Sequence, residues 1–238
     1  MKLKKLTLKK RTSLNFGGLS SPSKMYPFKA YSIPAQECIV GSLLAFIIDS
    51  ICSDCFARKG RYLFENVKGA LYRRFRLLKL ALKKPEQREK WISEIVNQIT
   101  RYSKGYFRWF DSGDLYSLEH LKMIIEVCQL TPTTMHWLPS KMYPLLKEYE
   151  NQIKAGTMAY PDNLVIRTSP VKVDASPPPT MFNTSTVHLN KPPVGHKCPI
   201  TDGGQSCTSV GCVAIVDSVE IPMPCWSREV ENSSYPKH

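Results

Sequence analysis

Seven of the eight cysteines fall into two sets: Cys38, Cys52 and Cys55 near the amino end, and Cys198, Cys207, Cys212 and Cys225 near the carboxyl end. Cys128 stands apart in an apolar helical pattern. Clustered thiols serve as disulfides or as metal ligands. The chain begins Met-Lys-Leu-Lys-Lys with no apolar segment behind the charges, so the expected setting is a reducing cytoplasm. There, clustered cysteines read as ligands of zinc or of an iron–sulfur cluster. Cys128 reads as a buried free thiol, packed as a small hydrophobe. His188 and His196 flank the second set, and His196 could add a nitrogen ligand.

A second set of reactive groups follows from the predicted elements. Tyr106–Phe110, Thr133–Leu138 and Asn163–Thr168 read as strands starting 27 to 30 residues apart, the length of a βα repeat. Helical patterns fill the gaps, one capped by Ser117 and running through Cys128, the other from Tyr143 to Ala155. In parallel α/β folds functional groups sit at the carboxyl ends of strands. That rule selects Asp111, Asp114, Lys141 and Arg167 as candidate catalytic residues. A carboxylate on such a rim can act as a general base or a nucleophile. The bland reading of Asp114 is a loop cap, and His136 reads as a packed core histidine.

The predicted architecture is therefore α/β, with parallel βα repeats forming a partial or complete TIM-like barrel and a cysteine-rich loop lobe. Residues 1–33 read as a basic irregular arm. Residues 34–170 read as the barrel-like core, with helices over Phe64–Lys83 and from Pro85 to about Ser103. Residues 171–238 read as a cysteine-rich lobe with one possible strand at Val210–Val219 and a frayed polar end from about 227. Ile39–Ile48 is the longest apolar stretch, too short to span a bilayer, and reads as a buried strand or short core helix.

The chain has 238 residues, 33 basic against 20 acidic, for a net charge of +13. This balance points to an anionic partner, nucleic acid first and DNA favoured. Lys4, Lys5, Lys9, Lys10 and Arg11 read as a phosphate-contacting arm, and Arg58, Lys59 and Arg61 as a second basic patch. A small-molecule base is a possible co-substrate. No membrane partner is expected.

Several segments together resemble the phage family "gene product 88". They are Cys52-Ser-Asp-Cys55-Phe-Ala-Arg-Lys-Gly-Arg-Tyr62 with Asn66-Val67, Phe107-Arg-Trp-Phe-Asp111-Ser-Gly-Asp114-Leu115, Thr131-Pro132, His136-Trp-Leu-Pro139-Ser140, and Asn163-Leu-Val-Ile-Arg167. Cys198-Pro199 with Cys207, Cys212 and Cys225-Trp226 completes the likeness. The resemblance implies a phage-encoded protein of the host cytoplasm with a metal or iron–sulfur centre. This chain departs from the pattern at Phe56, where Tyr is expected, and at Phe110, where His commonly precedes the Asp-Ser-Gly motif. Its interval from Cys212 to Cys225 is also longer.

Asp111-Ser112-Gly113 is also similar to a segment of the queuosine-type guanine transglycosylases, whose phage relatives insert 7-deazaguanines into DNA. That likeness implies a base-exchange enzyme with Asp111 as nucleophile. The closely spaced three-cysteine zinc motif of those enzymes is missing here. A phage nucleic-acid base-modifying enzyme of this transglycosylase kind is the leading expectation, and two other classes rank below it: an iron–sulfur enzyme of radical type, and a non-catalytic nucleic-acid-binding protein with structural metal. The cysteine spacing is wider than the tight triplet expected of radical enzymes.

Overall fold

The computed structural model describes residues 18–199, 206, 212–216 and 219–237. In chain order, the elements are β1 (Lys29–Tyr31), α1 (Ile39–Leu44), α2 (Glu65–Ala81), α3 (Pro85–Tyr102), β2 (Tyr106–Trp109), α4 (Leu118–Leu130), β3 (Met135–Ser140), α5 (Tyr143–Lys154) and β4 (Leu164–Thr168). They continue with β5 (Asn183–His188), β6 (His196–Lys197), β7 (Val213–Val216), β8 (Val219–Pro222) and β9 (Asn232–Pro236). Seven strands form one parallel sheet in the order β1-β2-β3-β4-β5-β9-β6, and β7 and β8 make an antiparallel hairpin.

The first five strands sit side by side in chain order, which is how a βα barrel begins. The expectation of a partial or complete barrel is met only as a parallel sheet: among the described residues no pairing joins β1 to β6, and closure is not shown. The sheet also crosses the expected segment boundaries. Its strand β1 comes from the stretch assigned to an irregular arm. Strands β5, β6 and β9 come from the stretch assigned to a loop lobe. The carboxyl end, expected to fray, instead supplies β9, whose Asn232, Ser233 and Ser234 are buried.

Side-chain alternation gives the sheet two faces. Phe107, Trp109, Leu138, Leu164 and Ile166 face the helices and join Leu78, Trp91, Ile95, Leu121 and Tyr149 in the main core. The opposite face carries Trp137, with Tyr106 and Met135, against Phe28, Cys198, Cys225 and Trp226. Every residue of β4 is buried, as a strand covered on both faces requires.

The helices follow their predicted apolar stripes. Pro85 occupies the first turn of α3, where its missing N–H costs nothing. Ser117 caps α4 by accepting from the His120 amide at 3.1 Å. The apolar stretch after Cys38 does not enter the core as expected. It forms the short α1, and Leu43, Phe46 and Ile48 are left largely exposed. Among the described residues no helix is long and apolar enough to cross a membrane.

Two histidines are sealed in the main core. His136 Nε2 lies 2.9 Å from Thr131 Oγ1, whose own proton goes to the Val127 carbonyl, so Nε2 carries the hydrogen. His120 Nδ1 accepts from the Tyr116 amide. Burial pushes both pKa values down to about 3. Both rings are therefore neutral in the fold, while the unfolded chain takes up protons below about pH 6.5. Their contribution is complete above that pH and is lost as pH falls toward 3. The expected slope approaches about 2.7 kcal/mol per pH unit for the pair, since each bound proton contributes about 1.36. Denaturant midpoints measured from neutral to mildly acidic pH check this. A stability that stays flat across that range would overturn it.

Candidate functional site

The carboxyl ends of the parallel strands form a rim, and the first cysteine set sits on it. The chain leaves β1 through Ile33, whose amide donates to the Ser112 carbonyl at 3.1 Å, while Ser112 Oγ donates to the Ile33 carbonyl at 2.9 Å. Gly113 has φ +89°, and a Cβ there would stand 2.8 Å from the Ile33 carbonyl oxygen and closer still to Ile33 Cγ1, so only a glycine lets Ile33 pack against this turn. Beyond this junction Cys38 opens α1. The Cys52 loop is clamped from below, with the Ile51 amide donating to the Val171 carbonyl at 2.9 Å and Val173 to Asp49 at 3.1 Å. Buried Ser50 then accepts from the Cys52 amide at 3.0 Å.

These restraints bring thiols together. A Cβ at Gly41 would lie 3.6 Å from Cys52 Sγ and 3.7 Å from Cys38 Sγ, so the missing side chain leaves the space both sulfurs border. Cys55 is close enough for its charge to act on both. Burial pushes the Cys38 and Cys52 thiols up, and Asp114 adds to it. Lys141 and Arg58 act on Cys52 in the opposite sense. Arg58 is anchored to Ser42 Oγ at 3.3 Å, and Lys141 Nζ donates to Ser169 Oγ at 2.8 Å. Among the described residues no three His, Cys, Asp or Glu side chains are disposed to share a single metal ion.

Asp111 lies on the same rim. β2 ends at Trp109, and Phe110 takes φ +58°, a left-handed conformation that costs a bulky residue on the order of 1 kcal/mol or more. That bend re-aims the next carboxylate. Asp111 Oδ2 accepts from Tyr62 Oη at 2.7 Å, and the buried Oδ1 has no hydrogen-bond partner. Burial and the Asp111 charge push the Tyr62 hydroxyl up, so it stays protonated and donates. Tyr62 was not singled out by its chemistry in the sequence. Its signal was its place at the end of the run that starts at Cys52.

Two expected catalytic residues turn out to be architectural. Asp114 Oδ1 accepts from the Leu115 amide at 2.7 Å and Oδ2 from the Lys141 amide at 2.9 Å. It ties the β2 loop to the end of β3, and burial raises its pKa. Arg167 does not reach the rim. In β4 its neighbours Leu164 and Ile166 face the helices, so Arg167 projects to the opposite side. There it is fully buried. Its Nε donates to Cys225 O at 3.1 Å, Nη1 to Thr184 at 2.9 Å and Glu231 at 3.4 Å, and Nη2 to Pro224, Ser227 and Val230 at 2.8 to 2.9 Å.

The second cysteine set lies beyond that guanidinium. Cys198, Cys212 and Cys225 are buried, and Cys225 Sγ stands 3.0 Å from Tyr235 Oη. Cys207 lies outside the described residues, as do Lys4, Lys5, Lys9, Lys10 and Arg11 of the basic arm. Of the second basic patch, Lys59 pairs with Asp54 at the surface and Arg61 is exposed.

A parallel α/β sheet with thiols and a carboxylate on its carboxyl rim defines the class of protein. The model of the family described as Gene product 88 matches residues 3–176, and the chain belongs to that family of phage proteins. The match spans the first cysteine set, the Asp111 loop and the first four strands, and stops short of the second cysteine set. No curated protein and no solved structure matches the chain. The likeness to guanine transglycosylases thus rests on the Asp111-Ser112-Gly113 segment.

Replacing Arg167 with Met would remove a donor from six backbone carbonyls. Those of Pro224, Val230 and Glu231 keep a second donor in Ser227 N, Asn183 Nδ2 and Thr184 N, while those of Thr184, Cys225 and Ser227 lose the guanidinium that holds them. Each unsatisfied buried group costs about 1–3 kcal/mol. Arg167→Met is expected to lower stability by at least about 3 kcal/mol, read as a denaturant midpoint, with β5, β9 and the second cysteine set losing protection from hydrogen exchange first. A variant as stable as the parent would return Arg167 to the list of candidate catalytic groups.

Proposed function

We propose that the protein is a phage enzyme that modifies nucleic acid, with an iron–sulfur cluster held by Cys38, Cys52 and Cys55 as its reactive centre. The observation that carries this reading is the meeting of the Cys38 and Cys52 sulfurs around Gly41 on the carboxyl rim of a parallel sheet, with Cys55 close enough to act on both electrostatically. The donor set fits such a group. Three thiols bound to one zinc, at about 2.3 Å each, would have to crowd within about 4 Å of one another. Three thiols bound to separate irons stand further apart. Clusters usually take four cysteines, so three from this loop leave a coordination position for a ligand other than cysteine. When bound, the cluster supplies one-electron chemistry of the kind used by radical enzymes.

The chain's own residues set up the rest. Lys141, fixed by Ser169, and Arg58, fixed by Ser42, offset thiolate charge that burial disfavours. Asp111, oriented by Tyr62, keeps one oxygen for a substrate donor at the rim. The net charge of +13 favours a polyanionic substrate. Cys198 and Cys225 lie together on the far side of the sheet. Their role in this reading is to hold a structural zinc or cluster, because they are packed among Trp137, Trp226 and Phe28 rather than on the rim.

Anaerobically purified protein is expected to be brown and to contain iron and acid-labile sulfide. Cys52→Ser should lose most of that iron, and Cys128→Ala should keep it, since Cys128 is buried in the helix core away from the rim. Iron-free protein, or iron retained in full by Cys38→Ser and Cys52→Ser alike, would overturn the cluster.

The unpartnered Oδ1 of Asp111 supports a second reading, base exchange with this carboxylate as nucleophile and a 7-deazaguanine replacing guanine. In that case labelled guanine is incorporated into DNA by iron-free protein, and Asp111→Asn slows incorporation by at least about a hundredfold with little change in melting temperature. An Asp111→Asn variant exchanging at the parent rate removes the residue from the mechanism.

A further inference from the structure

Helix α2 carries a charge pattern that the cluster reading leaves unused. Its residues include Lys68, Arg73, Arg74, Arg76 and Lys79 against a single acid, Glu65. Arg74 is buried and spent on Ser20 Oγ and the Ala70 carbonyl. Arg73, Arg76 and Lys79 are exposed and lie on one stripe with Gly69 and Tyr72. No acidic residue stands three or four positions from any of the three cations on the helix. α3, the adjacent helix, differs: its Glu86, Glu89 and Glu94 are interspersed with Arg88, Lys90 and Arg101, and Arg88 is paired with Glu126 at 2.7 Å. A solvated helical face normally carries such mixed charge, because like charges at these spacings are destabilising. The stripe on α2 instead lines a groove of about 510 Å³. Glu37, next to Cys38, forms its other wall, so the groove opens beside the thiol site.

Gly69 supports a ligand role for this groove. A glycine inside a helix costs about 1 kcal/mol relative to alanine. A Cβ at Gly69 would meet nothing within 4 Å, so packing does not require its absence. The side chain's absence does widen the groove. Tyr72, next to Arg73 on the same groove, offers an exposed ring.

We propose that this groove binds the backbone of single-stranded nucleic acid and leads it to the rim. Arg73 to Lys79 spans about 9 Å along the helix axis at about 1.5 Å per residue, enough for two or so phosphates of an extended strand. Cations beside an exposed aromatic ring are the usual equipment for holding a strand without reading its sequence. Chemistry on a base also needs that base unpaired. The last point rests on the proposed nucleic-acid modification; the groove itself does not.

Fluorescence anisotropy with a labelled oligothymidine strand tests this, with the matching duplex and polyglutamate as competitors. The single strand is expected to bind more tightly than the duplex. Arg73→Gln/Arg76→Gln should weaken it about tenfold and reduce the salt slope by about 1.4, from two lost phosphate contacts at about 0.7 each. Gly69→Leu should fill the groove and weaken binding by a similar factor, with a melting temperature equal to or above the parent's. Either variant binding like the parent, or a preference for duplex, would overturn the proposal. So would a strand displaced by polyglutamate as readily as by unlabelled strand, which would point to an acidic protein. Binding is read without turnover. Iron-free protein that binds through Arg73 and Arg76 would overturn the cluster and leave the groove standing, and iron-loaded protein indifferent to them would do the reverse.

Discussion

The buried guanidinium of Arg167 is the constraint around which the distal half of the sheet is arranged. A charge with five donors cannot enter a dry interior unless all are satisfied. Here six backbone carbonyls, from Thr184 and from residues 224–231, converge on it. That convergence folds the carboxyl segment back over β4. It brings Trp226 against Phe28 and Tyr106, and lets Trp226 Nε1 donate to the Phe107 carbonyl at 3.0 Å. It also delivers β9 into the sheet beside β5. The second face of the sheet is thus covered by loops gathered around one ion rather than by helices.

With the far face closed this way, the rim is the side of the sheet on which the Cys52, Asp111 and Lys141 loops gather. Its loops are tied to one another at several points: Ile33 to Ser112, Asp114 to Lys141, and residues 49–51 to 171–173. The hydroxyl of Tyr143 adds a further tie to the Ser169 carbonyl. Such cross-links hold the Cys52 loop, the Asp111 turn and the Lys141 ammonium in fixed relation although they come from different parts of the chain. Preorganisation of this kind is what a reactive centre requires, because groups already in place need no further ordering. The exposed Leu43 of α1, with Phe46 and Ile48 in the turn that follows it, lies between Cys38 and Cys52 in the chain, outside the packed core.

Much of the framework was readable from local pattern. The amphipathic stripes of α2 to α5, the Ser117 cap and three core strands all follow from short-range periodicity and from residues with strong positional preferences. The rim was readable too, because parallel strands in a βα repeat must end on one side. Asp111 and Lys141 are found there. The error at Arg167 has a simple origin: a residue near the end of a strand was placed by its position along the strand, whereas the face it occupies depends on alternation. The misreading of Ile39–Ile48 has another. Apolar composition implies burial only when some partner surface is within reach, and a helix of six residues between two cysteine loops finds little.

By itself the sequence determined the elements, their parallel α/β class and the family, since these depend on local propensity and on ordered motifs. It also marked both cysteine sets as chemically distinctive. Only the tertiary structure decided which charges face the rim and which are consumed inside. Tyr62 and Asp111 are 49 positions apart, and Arg167 and Val230 are 63 apart. Nothing in the local sequence encodes such pairings; they arise when packing brings distant segments together and every buried polar group must find a partner. The same accounting reduced Asp114 to a tie between loops and left one oxygen of Asp111 unsatisfied.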